Sequence, residues 1–521
     1  MALIWELLQE YHLLYAPVVG VVVLLALSAV WSDLCDEIPY RRIPLVGKTW
    51  WDLSNKKARE RFSHSARAMF SEGFAKGFEV FQIFGATSPL IILHPKYIDE
   101  IKNNPLLDFV KASEKNFFSD RIPGFEGIHQ KRQSIILVET VRVKITQALG
   151  ALSIPLSVET AQSLQDILGS SNEWVTCKMS DKLPYIVARV SSLFFVGETV
   201  CRDPAWLEVA VNYTVDAFVA ARTLRMWPSL LRPLVHWFIP KCRNLRRYSA
   251  AAHAIIAREV KNRAEADANP VDGKTSPRTS DALDWADEMS AVYGMDIDRP
   301  RMQIGLSLAA IHTTSYTVTN VMYDLAAYPE YFGPLREEIK EVLAEDGILQ
   351  KKSLSKLKLL DSVIKESQRL NPVGIISMNR YACGPIELSN GTKIPKGATI
   401  AVSGHTNRDD SIYPNASTYD GYRFYRMRQQ PGHEHRHQLV TTTNQCFDFG
   451  HGIHACPGRF FAANEIKILM IHLLLKYEWK FKDRDGRPAN FDVGTEIVAD
   501  PTIELLIRAR QPAIDLAALG E

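Results

Sequence analysis

One cysteine late in the chain stands in a setting that suits metal chemistry. Cys456 lies in the string Phe-Gly-His-Gly-Ile-His-Ala-Cys-Pro-Gly, which spans residues 449–458. Gly450 and Gly452 can take positive φ and let the backbone run close to a flat ring system that a Cβ atom would strike. Pro457 suits the first position of a helix, where the dipole and free N–H groups would favour the thiolate form of the preceding cysteine. These features predict a thiolate ligand for haem iron, and such a ligand favours cleavage of the O–O bond.

The alternative is a purely structural role, in which Cys456 is a small buried core residue and the glycines form an ordinary turn. The full string is more specific, because Phe449, Gly452, Cys456 and Gly458 match the pattern Phe-x-x-Gly-x-x-x-Cys-x-Gly without insertion. In this pattern the segment resembles the haem-binding loop of the cytochrome P-450 superfamily. The resemblance implies haem b as the cofactor, Cys456 as its axial iron ligand and Phe449 as a shield for the sulfur, with Gly450 in the same cofactor-binding loop.

Length and composition agree with a large enzyme. A chain of 521 residues with 46% hydrophobic content can bury a large core. The resemblance covers nearly everything after the N-terminal segment and implies one catalytic domain over 51–521, mainly α-helical with small β-sheets, in the cytochrome P-450 fold. A formal net charge of +2 gives no general reason to expect nucleic acid as a partner. The seven scattered cysteines indicate a reducing compartment rather than a disulfide framework.

The N-terminal segment has the composition of a membrane anchor. Residues 13–31 carry no charge and are rich in Val and Leu, close to the ~20 residues that a membrane-spanning helix requires. We therefore expect a single transmembrane helix within 1–34, followed by a bent connector over 35–50. A cleaved signal peptide is the competing interpretation, but Glu6 and Glu10 stand where basic residues are typical. A buried core helix is the other alternative.

Basic residues beyond the apolar run indicate its orientation. Arg41, Arg42 and Lys48 follow it closely, and the positive-inside tendency then places the large domain in the cytosol. The sequence thus predicts a single-pass protein of the endoplasmic reticulum membrane, with membrane lipid as a partner and the catalytic domain on the cytosolic side.

The periodicity of the chain predicts several further elements. Two short strands are expected at 78–83 and 90–93, separated by a turn that contains Gly85. A helix is expected over Ser355–Leu370. The polar stretch 264–279 carries two prolines and breaks the helical pattern, which predicts a surface loop.

The predicted helix 355–370 carries Glu366 and Arg369 one turn apart, just before Asn371-Pro372. On an exposed helix such a pair is commonplace and stabilises by about 0.3–0.5 kcal/mol. Here it resembles the Glu-x-x-Arg motif of the family, and the resemblance implies a buried structural triad with Arg423 that supports the haem pocket. One residue departs from the pattern, because Gly421 stands where the family commonly has proline.

A second segment resembles the oxygen-activation region of the family's central helix. It runs Gly-Leu-Ser-Leu-Ala-Ala-Ile-His-Thr-Thr from residue 305 to 314, inside a helical pattern that continues to about residue 327. Ala309 and Ala310 would leave space for dioxygen, and Thr313 would hydrogen-bond it or an ordered water and help deliver protons. His312 stands where many relatives have Asp or Glu, and an imidazole could also carry protons. The alternative is a polar cluster whose hydroxyls bond back to the preceding turn.

The haem propionates and the substrate need their own partners. Arg380 and His454 match family positions that bind the propionates, since buried carboxylates require cationic or hydrogen-bonding partners. A surface arginine and a satisfied loop histidine are the alternatives. The family's early Trp-to-Arg propionate motif is not evident around 130–146. A mostly apolar substrate pocket is expected, with these lining residues: Ala309, Ala310, Thr314, Ile375, Ile376 and Val498.

The resemblance implies a monooxygenase that inserts one oxygen atom from O2 into a lipophilic small molecule. Electrons would come from NADPH through a separate membrane-bound cytochrome P-450 reductase, with cytochrome b5 as an alternative donor. Basic residues could form a docking face for an acidic partner, namely Lys131, Lys144, Arg459 and Lys467. The string Ala-Ala-Ile-His-Thr-Thr resembles fungal members, including ent-kaurene oxidase-like enzymes, which favours a terpenoid or related secondary metabolite.

Two other functions remain open at this point. A haem-thiolate isomerase or dehydratase would rearrange a peroxide without a reductase, although it would have less need of Thr313. A membrane-tethered haem binder would carry the cofactor without catalysis.

Overall fold

The structure, a computed structural model, describes residues 34, 36–119, 121–128, 131–268, 280–512 and 519–520. The predicted anchor over 1–34 falls outside the described part except for its last residue, as does 269–279 of the predicted loop. Residues 264–268 continue a helix, because the run Ala-Glu-Ala-Asp-Ala has high helix propensity, so this part of the loop prediction was wrong. None of the helices that the structure describes has the length and apolarity needed to cross a bilayer.

The predicted fold class of mainly helical structure is confirmed. The helices of the described part are, in chain order, α1 Lys56–Ala75, α2 Ile98–Ile101, α3 Phe109–Phe117, α4 Lys131–Glu139, α5 Thr146–Leu168, α6 Met179–Phe195, α7 Glu198–Cys201, α8 Pro204–Arg225, α9 Arg232–Val235, α10 Pro240–Ala268, α11 Ala282–Tyr293, α12 Arg299–Ala327, α13 Phe332–Asp346, α14 Lys351–Lys356, α15 Lys358–Leu370, α16 Arg423–Arg428 and α17 Arg459–Lys476. A π-helical stretch, Thr140–Ile145, joins α4 to α5.

The strands form small sheets, also as predicted. They are β1 Val80–Phe84, β2 Pro89–Leu93, β3 Leu107–Asp108, β4 Val175–Cys177, β5 Ile376–Ala382, β6 Ile386–Glu387, β7 Lys393–Ile394, β8 Thr399–Ser403, β9 Tyr477–Phe481, β10 Phe491–Val493, β11 Glu496–Val498 and β12 Leu505–Ala509. One sheet has the order β1-β2-β8-β5-β3, with β2 and β8 parallel and the other neighbours antiparallel. A second has the order β4-β12-β9, and two hairpins pair β6 with β7 and β10 with β11.

Two predicted boundaries shift for local reasons. The first strand starts at Val80 rather than at residue 78, because Gly77 turns the chain at φ 77° and Phe78 N–H still bonds back to Gly73 O. The predicted helix 355–370 is broken at Leu357, whose ψ of 74° is not helical. The carboxylate of Glu338 accepts the N–H groups of Leu359 and Leu360 and so caps α15, which starts at position 358.

The segment after residue 35 packs onto the domain instead of standing apart from it. Gln82 in β1 is 1% exposed, and its side-chain amide donates to the carbonyl oxygens of Tyr40 and Ile43, each at 2.7 Å. Its backbone exchanges hydrogen bonds with Pro44 O at 2.8 Å and Val46 N at 2.9 Å. The predicted connector is therefore held against the edge of the large sheet.

The central helix α12 organises the main core. It begins with Asp298, whose side chain accepts from Arg301 N–H, and it packs against α6, α8, α10, α15 and α17. Most of its residues are buried, so the few exposed positions on it stand out. Two further cores lie on the faces of the large sheet.

Candidate active site

Cys456 occupies a closed loop that leads into α17. Its N–H donates to Phe449 O at 2.7 Å, and Phe449 itself is half-buried against the main core. Burial raises the pKa of the Cys456 thiol, whereas hydrogen bonds from the N–H groups of Gly458 and Arg459 and the charge of Arg459 lower it. These donors are what the protein provides to hold a sulfur anion at this position.

The predicted role of Pro457 as the first helical residue was wrong. The helix α17 begins at Arg459 with Gly458 as its N-cap, and Pro457 lies in the turn before it. The turn brings the sulfur in front of the N–H groups of Gly458 and Arg459, at the start of the helix. The sulfur therefore faces the helix amino terminus, as expected, but two residues later in the chain.

The two loop glycines have positive φ, with values of 67° at Gly450 and 79° at Gly452. A Cβ atom at position 452 would lie 2.3 Å from the carbonyl oxygen of Lys102. The neighbouring Ile453 N–H donates to Asn103 Oδ1 at 3.1 Å. Gly452 thus serves close packing of the loop on the segment after α2, whereas the sequence predicted contact with a flat ring.

The structure brings Glu366, Arg369 and Arg423 together in a buried cluster. Arg369 binds the Glu366 carboxylate through Nε at 2.8 Å and Nη2 at 2.7 Å. Arg423 binds it through Nε at 3.1 and 3.2 Å. The three side chains are at most 7% exposed. Because the two cations share one carboxylate, Glu366 is compensated from both sides.

The other N–H groups of Arg369 and Arg423 connect α15 to the loop before α16. Arg369 Nη1 donates to Ala416 O at 2.7 Å and to Asn407 O, and Arg423 Nη1 donates to Pro414 O at 2.6 Å. The contacts of Gly421 explain why glycine stands where the family commonly has proline. Its N–H donates to the Tyr331 hydroxyl at 2.9 Å, and a Cβ atom there would lie 2.6 Å from the Tyr331 ring. Proline could not make that hydrogen bond.

Ala309 and Thr313 form an open face on the otherwise buried helix α12. Both are exposed, lie one turn apart, and are flanked by buried residues such as Ile311. The Thr313 hydroxyl donates to Ala309 O at 2.9 Å or to Ala310 O at 3.2 Å. The hydroxyl therefore bonds back to the preceding turn, as in the alternative interpretation, while its oxygen remains on the open face as an acceptor.

The neighbours of Thr313 point elsewhere. His312 Nε2 lies 2.8 Å from Val211 O on α8, and burial lowers the pKa of this imidazole, which keeps it neutral at pH 7. Thr314 is 2% exposed, and its side chain contacts Glu465 on α17. Glu465 is fully buried, accepts from the Ser191 hydroxyl at 2.5 Å, and burial raises its pKa to about 8.

Arg380 fits a haem propionate. It is 3% exposed, its Nη1 donates to Asn379 O at 2.7 Å, and its buried Nη2 has no partner in the described part of the chain. Burial lowers its pKa to about 10, with Asp108 opposing the shift. His454 lies close enough that, besides burial, the Arg380 charge lowers its pKa. An unpaired N–H on a buried cation suits a carboxylate, so Arg380 and His454 could hold the propionates of a haem ligated by Cys456.

The backbone of β5 helps to aim Arg380. The pairing of β5 with β8 shifts register between Ser377 and Arg380, and Met378 in between has a φ of 54°. Such a bulge redirects the side chains that follow it. No pattern in the sequence indicated this bulge.

The predicted apolar pocket residues differ in exposure. Ile375 is 4% exposed and belongs, with the half-buried Ile376, to a core of the large sheet. Val498 is 42% exposed, and Val373, which the sequence analysis missed, is 41% exposed. The two valines lie on paired segments, since Ile497 N–H donates to Val373 O at 3.1 Å. The exposed position of Val373 beside the β11 segment follows from tertiary pairing and not from any pattern in the sequence.

Two aromatic residues join α3 to α8. Phe117 at the end of α3 and Phe218 on α8 contact edge to face, with ring centroids 4.9 Å apart. Neither residue stands in a motif that sequence analysis could have recognised.

One of the predicted docking lysines is not at the surface. Lys467 is 6% exposed, and its Nζ binds Asp361 Oδ1 at 2.5 Å and Leu354 O at 2.9 Å, so this prediction was wrong. Lys144 is paired with Glu288, and Arg459 Nη1 donates to Cys456 O at 2.9 Å. The Lys131 side chain lies outside the described part.

Comparison with known proteins agrees with the geometry of the site. The family model described as cytochrome P-450 matches residues 44–503. The chain is 37% identical to the cytochrome P-450 monooxygenase calE of Penicillium decumbens over 98% of this chain and 97% of that protein. It is 40% identical to the cytochrome P-450 monooxygenase ptmU of Penicillium ochrochloron over 92% and 94% of the two chains. The chain therefore belongs to the cytochrome P-450 family and is a monooxygenase that carries haem b on a cysteine thiolate.

Proposed function

We propose that this enzyme inserts one atom of dioxygen into a lipophilic terpenoid or related fungal secondary metabolite. The observation that carries the proposal is the open face of α12, where Ala309 and Thr313 are exposed inside a buried helix. The apolar side chains of Val373 and Val498 are also exposed on nearby segments. A cavity with such walls favours an apolar substrate over a polar one.

The chain's own residues support such chemistry in distinct ways. When bound, the haem supplies the iron at which dioxygen is activated. The N–H groups of Gly458 and Arg459 oppose the effect of burial on the pKa of Cys456 and would donate to its sulfur when that sulfur binds the haem iron. Ala309 keeps bulk away from the open face, and Thr313 Oγ1 offers a hydroxyl from which a proton can be passed to the reacting oxygen. Its donor is bonded to the Ala309 carbonyl in the resting geometry, so it must rotate to donate.

We further propose that electrons come from NADPH through a separate membrane reductase, and that the enzyme is anchored in the endoplasmic reticulum membrane. The uncharged run 13–31 and the basic residues after it support the anchor. Exposed apolar side chains later in the sequence also support the anchor, since Trp50 is 88% exposed and Leu53 is fully exposed.

The test is to express the chain with a reductase and to feed candidate terpenoid scaffolds under isotopically labelled dioxygen. A product that carries one labelled oxygen and requires NADPH supports the proposal. A reductase-independent product of unchanged mass would instead support an isomerase or dehydratase, and a haem spectrum without NADPH consumption would support a haem binder. The variant Cys456→Ser should lose the red-shifted absorption of the reduced, carbon monoxide-treated protein.

A further inference from the structure

A half-buried arginine lies where the end of α8 meets the end of α3. Arg225 is the last residue of α8, and its Nη2 donates to Asn116 O at 2.5 Å at the end of α3. The guanidinium carbon lies 5.9 Å from the centre of the Phe117 ring. Its Nε is buried and has no hydrogen-bond partner in the part of the chain that the structure describes. Burial lowers the pKa of Arg225 to about 10, so it remains a cation at neutral pH.

A carboxylate on the facing hairpin only partly balances this charge. Glu496 begins β11, and burial raises its pKa while the charges of Arg222 and Arg225 lower it. Among the described residues no hydrogen bond or ion pair joins Glu496 to either arginine, so they act on it through space. The charges that act on Arg225 come from Glu496, Arg222 and Arg232, so three cations and one carboxylate leave this corner with an excess of positive charge.

The corner lies beside a segment that contacts α12 one turn after Thr313. The strand β11 that carries Glu496 also carries Val498, and Glu496 forms a bridge with Gly374, next to Val373. Two residues before Gly374, the Pro372 carbonyl oxygen accepts from the Tyr316 hydroxyl of α12 at 3.2 Å. The charged corner is therefore where α3, α8 and β11 meet around the apolar walls.

A cation with an unpaired N–H in apolar surroundings is unfavourable unless an anion compensates it. The planar fork of arginine matches the two oxygens of a carboxylate, which it can bind by parallel hydrogen bonds. The free Nε–H and the positive excess select an acid over a neutral ester or alcohol. The carbonyl of Asn116 takes only one of the five N–H donors, so binding there does not use up the site.

We propose that Arg225 binds a carboxylate of the substrate, which makes the substrate a lipophilic carboxylic acid that enters the cavity with its acid group held where α3, α8 and β11 meet. This inference rests on the proposed monooxygenase function and narrows its substrate class. The Arg225 contact fixes one end of the molecule, so the carbon that is oxidised is set by its distance from the acid group.

The test measures equilibrium binding to the purified, haem-loaded full chain through the shift of the haem absorption band. The probes are dodecanoic acid and abietic acid, each compared with its own methyl ester. We expect at least one acid to bind about tenfold or more tightly than its ester, as a charge-assisted hydrogen bond provides. Arg225→Gln should abolish that preference, and Glu496→Gln should increase it. The matched control is Arg247→Gln on α10, where the arginine is 63% exposed and pairs with Glu208, and it should change the preference less than threefold.

The outcomes separate this inference from the proposed function. If neither acid binds, or acid and ester bind equally well, or the preference survives Arg225→Gln, the carboxylate site is refuted. The reduced, carbon monoxide-treated spectrum and NADPH-dependent product formation can remain intact in each of those cases, so the proposed function would stand. Should Arg225→Gln fail to fold, Arg225→Lys replaces it, because lysine keeps the charge but lacks the planar fork. Arg225→Lys should reduce the preference for the acid over its ester. If this preference is unchanged in both Arg225→Lys and Glu496→Gln, the carboxylate site is refuted.

Discussion

Arg423→Gln is expected to destabilise the protein by about 3 kcal/mol, because it removes one of the two cations that compensate a fully buried carboxylate. Removing one partner of a buried ion pair costs about 3–5 kcal/mol. The lower end applies here, since Arg369 still binds both oxygens of Glu366 at 2.7 and 2.8 Å. The change also leaves the carbonyl oxygens of Pro414 and Thr418 without their donor.

The assay is urea unfolding of the haem-loaded protein in detergent, followed by tryptophan fluorescence and by the visible haem band. The matched control is Arg426→Gln on the same short helix α16, where the arginine is 58% exposed and pairs with Asp420. An exposed pair contributes at most about 1 kcal/mol. Arg423→Lys should fall between the two, because lysine keeps the charge but loses the fork that spans Glu366 and the carbonyls.

The expected gap between Arg423→Gln and its control is about 2 kcal/mol in the free energy of unfolding. If the two variants lose the same stability within about 0.5 kcal/mol, a typical limit for additive surface changes, the buried cluster does not support the fold as inferred. Loss of the haem band ahead of the fluorescence change would indicate that the cluster supports the haem pocket in particular.

Three further outcomes are expected. Gly452→Ala should strongly reduce haem incorporation, because its Cβ would lie 2.3 Å from Lys102 O. The control Gly391→Ala, with the same φ of 79° and open space around it, should retain haem. Equal haem incorporation in the two variants would contradict the prediction. Thr313→Ala should keep the haem spectrum but lower the product formed per NADPH by about tenfold or more, while Thr319→Ala, whose hydroxyl bonds back to Ser315 O on a buried face, should leave that ratio unchanged. The pKa of Glu465 is about 8 in the folded protein against 4.5 in the unfolded chain, so the folded state keeps a proton that the unfolded chain loses between these values. The stability that this proton gives is therefore full below pH 4.5 and is lost as pH rises to 8, by about 1.4 kcal/mol per pH unit. Glu465→Gln should flatten this fall in urea unfolding measured from about pH 5 to 8.

The catalytic loop was predictable because its features are local in the chain. The thiolate ligand, the positive φ of Gly450 and Gly452 and the helix that follows all depend on residues within ten positions of one another. The open face of α12 was also accessible, since helical periodicity places Ala309 and Thr313 one turn apart. Even here the start of α17 shifted, because the turn at Pro457 depends on how the loop packs.

The chain by itself thus determined the enzyme family, the mainly helical fold and a haem cofactor on a cysteine thiolate, because short-range spacing dictates these. Tertiary structure alone decided which side chains face the cavity and which are buried. Lys467 became a core residue bound to Asp361, Ile375 joined a sheet core, Val373 came to lie beside Ile497, and Arg225 came to lie beside Asn116. The physical reason is that burial depends on which elements pack together, and the free energy of that packing is summed over contacts between residues far apart in the chain.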